Sequence, residues 1–105
     1  YLIIKKGEHG ALLFHENKVF SAPALPLEEV FDPTGAGDTF AGGFVGYLSK
    51  CNKINWDNMK SAIIVGSAMA SFTVEKFGID RLVEVEQEEI NSRIEAFKEL
   101  TLFQI

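Results

Sequence analysis

The first part of the chain alternates between short apolar runs and polar turns. The run "YLIIK" at residues 1–5 is rich in β-forming residues and predicts a buried strand. In "KKGEHG", two glycines three residues apart, Gly7 and Gly10, predict a tight turn. The runs "ALLF" and "VFSA" predict two further strands, and the polar "HENK" between them predicts their turn. We therefore expect a core strand followed by a β-hairpin.

Helical spacing replaces this pattern in the middle of the chain, from about Asp38 onwards. The apolar positions there recur at the spacing of one helix face: Phe40, Phe44, Tyr47 and Leu48. The same helix carries three glycines: Gly42, Gly43 and Gly46. Each glycine costs a helix about 1 kcal/mol relative to alanine. We therefore expect this helix to approach a neighbouring element closely.

Two more helices are expected in the second half of the chain. Asn55 is a good N-cap for a helix through "WDNMKSAIIVGSAMASFTVEK", which is apolar on almost every side and so predicted to be buried on more than one. Gly78, in "FGIDRLVEV", is expected to end it. An amphipathic helix is expected over about residues 86–102, with an apolar face of four residues: Ile90, Ile94, Phe97 and Leu100. Strands followed by helices indicate an α/β class.

Length, composition and charge limit the classes of protein to which this chain can belong. The chain has 105 residues, enough for one domain, and its 47% hydrophobic and 24% charged residues exclude collagen-like and disordered classes. A net charge of −5 argues against a nucleic-acid partner. One cysteine, Cys51, excludes an internal disulfide and favours a reducing, cytoplasmic location. We find no signal peptide or membrane span. The chain begins with a strand and no methionine, so we expect a preceding N-terminal part.

The stretch "FDPTGAGDTFAGGF" at residues 31–44 concentrates four glycines beside one carboxylate, Asp38. Pro33 disfavours helical backbone at Asp32, so the preceding extended segment must turn before the helix begins. Backbone amides at a helix start lack partners, and glycines allow a ligand to come close to them. An anion, and in particular a phosphate, is the ligand expected there.

Asp38 needs a further explanation, because a carboxylate repels a resting phosphate. Phosphoryl transfer to an alcohol explains both features: the amides neutralise developing charge, and Asp38 takes the proton of the attacking hydroxyl. The alternative is that Asp38 only caps the helix. A capping box would place Glu or Gln where Ala41 stands. Phe40 excludes the dinucleotide fingerprint, and no lysine follows the glycines as a P-loop requires.

The same stretch resembles the C-terminal signature of the PfkB, or ribokinase-like, carbohydrate kinases, D-x-T-G-A-G-D-x-F. All the fixed positions are present: Asp32, Thr34, Gly35, Ala36, Gly37, Asp38 and Phe40. "LIIKKGEHGALLF" is similar to the family's strand, K-x-G-x-x-G turn and following strand, and "SAMASFTVEKFGI" is similar to its later helix and loop. The resemblance implies a three-layer α/β/α, Rossmann-like fold. Residues 1–105 would be the C-terminal part of one kinase domain.

The resemblance also implies roles for individual residues. Asp38 would be the catalytic base, and the amides of Gly35, Ala36 and Gly37 would form the anion hole. The segment that lines the nucleotide site would include four residues of the glycine turn: Lys5, Gly7, Glu8 and Gly10. Gly37 and Asp38 would also face the nucleotide. Ser67 falls near a position at the adenine end, where the family often has asparagine or histidine.

The cofactors implied by the resemblance are ATP and Mg²⁺, together with K⁺ in many members. The K⁺ ligands would come from the signature and from the later loop: Asp32, Thr34, Thr73, Lys76 and Gly78. For residues 73–78 the alternative is an ordinary helix C-terminus.

The function expected is transfer of the γ-phosphate of ATP to a hydroxyl of a sugar or sugar-like molecule. The alternatives are a nucleoside (adenosine-type) kinase of the same fold and a non-catalytic nucleotide-binding module. In the family, the sugar-binding residues and the lid lie mostly in the N-terminal portion, which this chain lacks. We therefore expect the isolated chain to be inactive, and we expect any homodimer to form through that lid. Nucleic-acid and membrane partners are not expected.

Overall fold

The computed structural model describes residues 1–6, 10–23, 36–73 and 87–101, and the statements below concern these residues. Some of the sequence predictions fall outside this part of the chain. These are the predictions for the strand before Pro33 and for seven proposed site residues: Gly7, Glu8, Asp32, Thr34, Gly35, Lys76 and Gly78.

Three antiparallel strands form the sheet, in the order β1-β2-β3. Their bounds are β1 Leu2–Lys5, β2 Ala11–His15 and β3 Lys18–Ala22, as the apolar runs predict. Lys5 pairs with Ala11 across the first two strands. The amide of Lys6 donates to the carbonyl oxygen of Gly10 at 2.8 Å, just beyond the paired ends of β1 and β2. Gly10 has a φ of 98°, a left-handed conformation that favours glycine.

The two faces of the sheet differ in burial. Leu13 of β2 is fully buried, and α2 (Trp56–Thr73) packs on β2 and β3. On the opposite face Leu2 and Ile4 of β1 are 57% and 43% exposed. The prediction of a buried first strand is therefore wrong for this chain. Within the described residues β1 is an edge strand, and Leu2 and Ile4 lie on the face away from the buried Leu13.

The helices follow the predicted order. They are α1 Ala36–Ser49, α2 Trp56–Thr73 and α3 Gln87–Thr101. The first helix, α1, begins two residues before Asp38, the position from which the apolar spacing predicted it. The side-chain oxygen of Asn55 accepts a hydrogen bond from the amide of Asn58 at 2.8 Å, which confirms the predicted cap. None of the described helices is long and apolar enough to cross a membrane.

The predicted close approach of the glycine-rich helix is confirmed at one of its three glycines. A Cβ atom on Gly43 would lie 3.1 Å from the Cα atom of Gly66, so α1 and α2 meet there almost backbone to backbone. Around Gly42 and Gly46, by contrast, no neighbouring atom lies within 4 Å of such a Cβ atom. Close packing therefore explains only Gly43.

A single cluster of buried side chains joins the sheet to α1 and α2. Its largest buried members are Leu13, Phe40, Met59 and Ile63, and Trp56 packs against it. On the other side of α2, Phe72 and Phe97 are each 1% exposed, where α3 packs on that helix. This core fixes the start of α1 beside the end of β1.

Candidate active site

The N-terminus of α1 is open to solvent. Gly37 and Asp38 lie in its first turn, and both are exposed. The first amides of any helix have no acceptor within the helix, and the helix dipole makes this end positive. Exposed amides and positive potential are what an anion site requires. The structure therefore leaves the predicted position of the base and of part of the anion hole accessible.

Lys5 places the start of the K-x-G-x-x-G segment beside this helix start. It is the last residue of β1, and its Nζ atom would lie 3.1 Å from a Cβ atom placed on Gly37. The same ammonium lies over the ring of Phe40, 4.9 Å from the ring centroid. It forms no ion pair with Asp38 in the described part of the chain. One predicted nucleotide-site residue and the predicted base region thus come together in space.

Phe40 holds this arrangement in place. Its side chain is only 7% exposed, and its ring stacks on Phe44 with centroids 6.1 Å apart and planes inclined by 14°. Its other neighbour is Gly66 of α2. The sequence predicted Phe40 as an apolar helix residue and as a fixed signature position, but not as a support for Lys5. A strand residue and a helix residue so far apart in sequence carry no spacing signal that could have indicated their contact.

Ala36 is the first residue of α1, and Gly10 directly precedes β2. The two predicted site residues in α2 are not brought to the helix start by a recorded contact. Ser67 is half-buried in the middle of α2, and no hydrogen bond in the described residues links it to Lys5 or Asp38. Thr73 is the last residue of α2. The roles of these two residues at the adenine end and in the K⁺ site therefore stay predictions.

The described groups at the helix start suit a nucleotide phosphate. An ammonium, exposed helix amides and a glycine without side-chain bulk suit phosphate oxygens. In the described ranges, no group of three or more His, Cys, Asp and Glu side chains could hold a metal ion. Magnesium at such sites is commonly held by one or two carboxylates and substrate phosphates, which requires no such group. The donor set is thus compatible with ATP and Mg²⁺.

Comparison with known proteins identifies the class of protein that this fold and site define. The model of the pfkB family carbohydrate kinases matches residues 1–86. The chain belongs to this family, which confirms the resemblance deduced from the signature. Its structural neighbours have the ribokinase fold, which confirms the predicted α/β fold class.

Three particular proteins show how far the similarity extends. A nucleoside kinase from Methanocaldococcus jannaschii is 38% identical over 77 residues, which cover 73% of this chain and 24% of that protein. A ribokinase from Staphylococcus aureus is 33% identical over 90 residues, covering 86% and 28%. The crystal structure of aminoimidazole riboside kinase from Salmonella enterica, complexed with aminoimidazole riboside and an ATP analog, superposes with a TM-score of 0.73 at 33% identity, covering 88% and 30%. The chain therefore spans about a quarter of the length of its curated relatives.

Proposed function

We propose that the protein carrying this chain is an ATP-dependent kinase that transfers the γ-phosphate of ATP to a hydroxyl of a sugar or sugar-like substrate. Family membership supports the reaction class. The observation that carries the proposal is the position of the Lys5 ammonium at Gly37, one residue before Asp38. It joins a predicted nucleotide-binding segment to a predicted base and anion hole. Such a juxtaposition is what phosphoryl transfer needs, because positioning and charge stabilisation supply most of its catalysis.

In this proposal Asp38 is the general base. Its carboxylate removes the proton of the acceptor hydroxyl while the hydroxyl oxygen forms a bond to the γ-phosphorus and the bond to the leaving ADP breaks. The amides of Gly35, Ala36 and Gly37 donate hydrogen bonds to the phosphoryl oxygens as negative charge moves across them. The exposure of Asp38 leaves room for a hydroxyl to reach it. A base of this kind contributes about 10²–10⁴ in rate.

The remaining assignments follow the family and complete the proposal. Gly7, Glu8 and Gly10 line the nucleotide, and Ser67 faces its adenine end. Mg²⁺ accompanies the nucleotide phosphates. K⁺ is held by the five residues that the family resemblance implies as its ligands: Asp32, Thr34, Thr73, Lys76 and Gly78. The enzyme acts in the cytoplasm, and these 105 residues alone, about a quarter of the length of the curated relatives, are inactive.

A nucleoside acceptor is the second candidate, and the relatives supply the reason. Two of the three proteins described above are named as kinases of a nucleoside or a riboside. The third is a ribokinase. A ribose ring with a free hydroxyl is therefore the first acceptor to test. A non-catalytic nucleotide-binding module is less well supported, because both Gly37 and Asp38 are retained.

The test is Asp38→Asn in the full-length protein, assayed with ATP and a panel of ribose, fructose, fructose phosphates, adenosine and cytidine. We expect turnover to fall by about 10²–10⁴ with ATP affinity nearly unchanged. Asp57→Asn is the matched control, since Asp57 is also an exposed first-turn aspartate, at the start of α2. Wild-type turnover in Asp38→Asn would overturn the assignment of the base. A wild-type protein that binds ATP but phosphorylates no acceptor would favour the non-catalytic module.

A further inference from the structure

We propose that Lys5 is a further catalytic residue whose ammonium contacts the transferring phosphoryl group. The proposal rests on the kinase function above and deepens it. A residue that only lines the nucleotide site contributes equally to binding before and during transfer. A cation held where the phosphoryl group moves stabilises the transition state specifically, and it therefore raises kcat.

The position of Lys5 is determined by the fold. The paired strand β1 ends at this residue, and the amide of the next residue, Lys6, donates a hydrogen bond to the carbonyl oxygen of Gly10. The ammonium lies over the ring of Phe40, which is itself buried and stacked on Phe44. A cation over an aromatic face is attracted by the ring quadrupole. Lys5 is therefore directed to the helix start before any ligand binds.

The charge of Lys5 adds to the positive potential of the helix start. The N-terminus of a helix carries partial positive charge and is stabilised by anions. Here an ammonium lies beside the first turn of α1, and the nearby Asp38 does not form an ion pair with it in the described part of the chain. The ammonium and the helix amides both attract negatively charged groups. A phosphoryl group, which has several negatively charged oxygens, can interact with the ammonium and with the helix amides at the same time.

The lack of a side chain at Gly37 agrees with this placement. Of the glycines in the described part of the chain, only Gly10 has positive φ, so Gly37 has a backbone that alanine could adopt. Alanine would also favour the helix. However, an alanine Cβ would lie 3.1 Å from the Lys5 Nζ, closer than the ordinary van der Waals contacts that begin at 3.4 Å. Glycine at this position therefore leaves room for the ammonium.

The experiment compares variants of the full-length protein by kcat, by KM for ATP and by thermal midpoint. Lys5→Met should lower kcat by about 10²-fold, the usual effect of removing one charge-stabilising donor, with little change in KM. Lys5→Arg keeps the charge and should recover part of the loss. Gly37→Ala should lower kcat less in the Lys5→Met protein than in the wild type, because only the wild type has an ammonium to displace, and its thermal midpoint should equal that of its parent or rise. Lys6→Met is the matched control, because Lys6 is the next residue, is also exposed, and has no recorded contact with Gly37 or Phe40 in the described residues; it should retain wild-type kcat.

The outcomes separate this proposal from the kinase assignment. If Asp38→Asn loses turnover and Lys5→Met keeps wild-type kcat, the kinase function stands and the role of Lys5 is refuted. A change in KM for ATP alone would also refute it, because it would show that Lys5 only binds the nucleotide. If Lys5→Met and Lys6→Met lower kcat equally, the effect is one of general surface charge and the proposal fails. A wild-type protein that transfers no phosphate overturns both proposals.

Discussion

A Cβ atom on Gly66 would lie 2.7 Å from the carbonyl oxygen of Phe40 and 3.1 Å from its ring. The backbone of α2 thus touches the residue that supports Lys5. Alanine at this position cannot fit unless α1 and α2 separate. We expect Gly66→Ala to destabilise the full-length protein by about 1–3 kcal/mol, measured by urea unfolding, as overpacking of a close contact does.

The matched control is Gly42→Ala, on the neighbouring helix. Apart from the backbone of α1 itself, no atom of the described residues lies within 4 Å of a Cβ placed there, and Gly42 is exposed. This substitution should leave the protein as stable as before or stabilise it by up to about 1 kcal/mol, the helix preference of alanine over glycine. Equal destabilisation by both substitutions would show that the contact of Gly66 with Phe40 is not the cause.

The features of this fold that sequence predicts best are those that depend on residues close together in the chain. The strands and helices were predicted well because their apolar spacing is a property of neighbouring residues, and the cap at Asn55 is set by its first helix turn. The exposure of Leu2 and Ile4 was not predicted, because burial of a strand depends on what packs over it. At the candidate site, the resemblance implied that Lys5 and Asp38 both lie at the nucleotide. The contacts of Lys5 with Gly37 and Phe40 could be seen only in the fold.

Asn55 should stabilise the start of α2 by a measurable amount. Its side-chain oxygen accepts a hydrogen bond from the amide of Asn58, one of the helix amides that would otherwise lack a partner. We expect Asn55→Ala to lower the free energy of unfolding by about 0.5–2 kcal/mol in urea titrations. Asn52→Ala, an exposed asparagine in the preceding bend, should change it by less than about 0.5 kcal/mol. Similar effects of the two substitutions would contradict the capping role.

Arg93 links α3 to α2 and should contribute to their packing. One of its terminal nitrogens donates to the hydroxyl of Ser71 at 2.8 Å, and its guanidinium carbon lies 4.1 Å from the ring centroid of Phe72. Arg93→Met keeps much of the contact with the ring but removes the hydrogen bond. Because Arg93 is only half-buried, we expect a loss of about 1 kcal/mol in urea unfolding. Ser92→Ala, at the exposed neighbouring position, should have no measurable effect, and a loss as large as that of Arg93→Met would argue against the link.

The last helix gives a comparison between two residues that the sequence placed on the same apolar face. Phe97 is 1% exposed against α2, whereas Leu100 is 45% exposed, so the expectation of burial is correct for the first and wrong for the second. Phe97→Ala removes a buried ring and should cost about 3–5 kcal/mol, enough to lower the urea midpoint clearly. Leu100→Ala should cost less than about 1 kcal/mol, because alanine also suits an exposed helix position. Comparable losses would mean that α3 packs on α2 through both residues. The helix would then be rotated about its own axis relative to the arrangement described above.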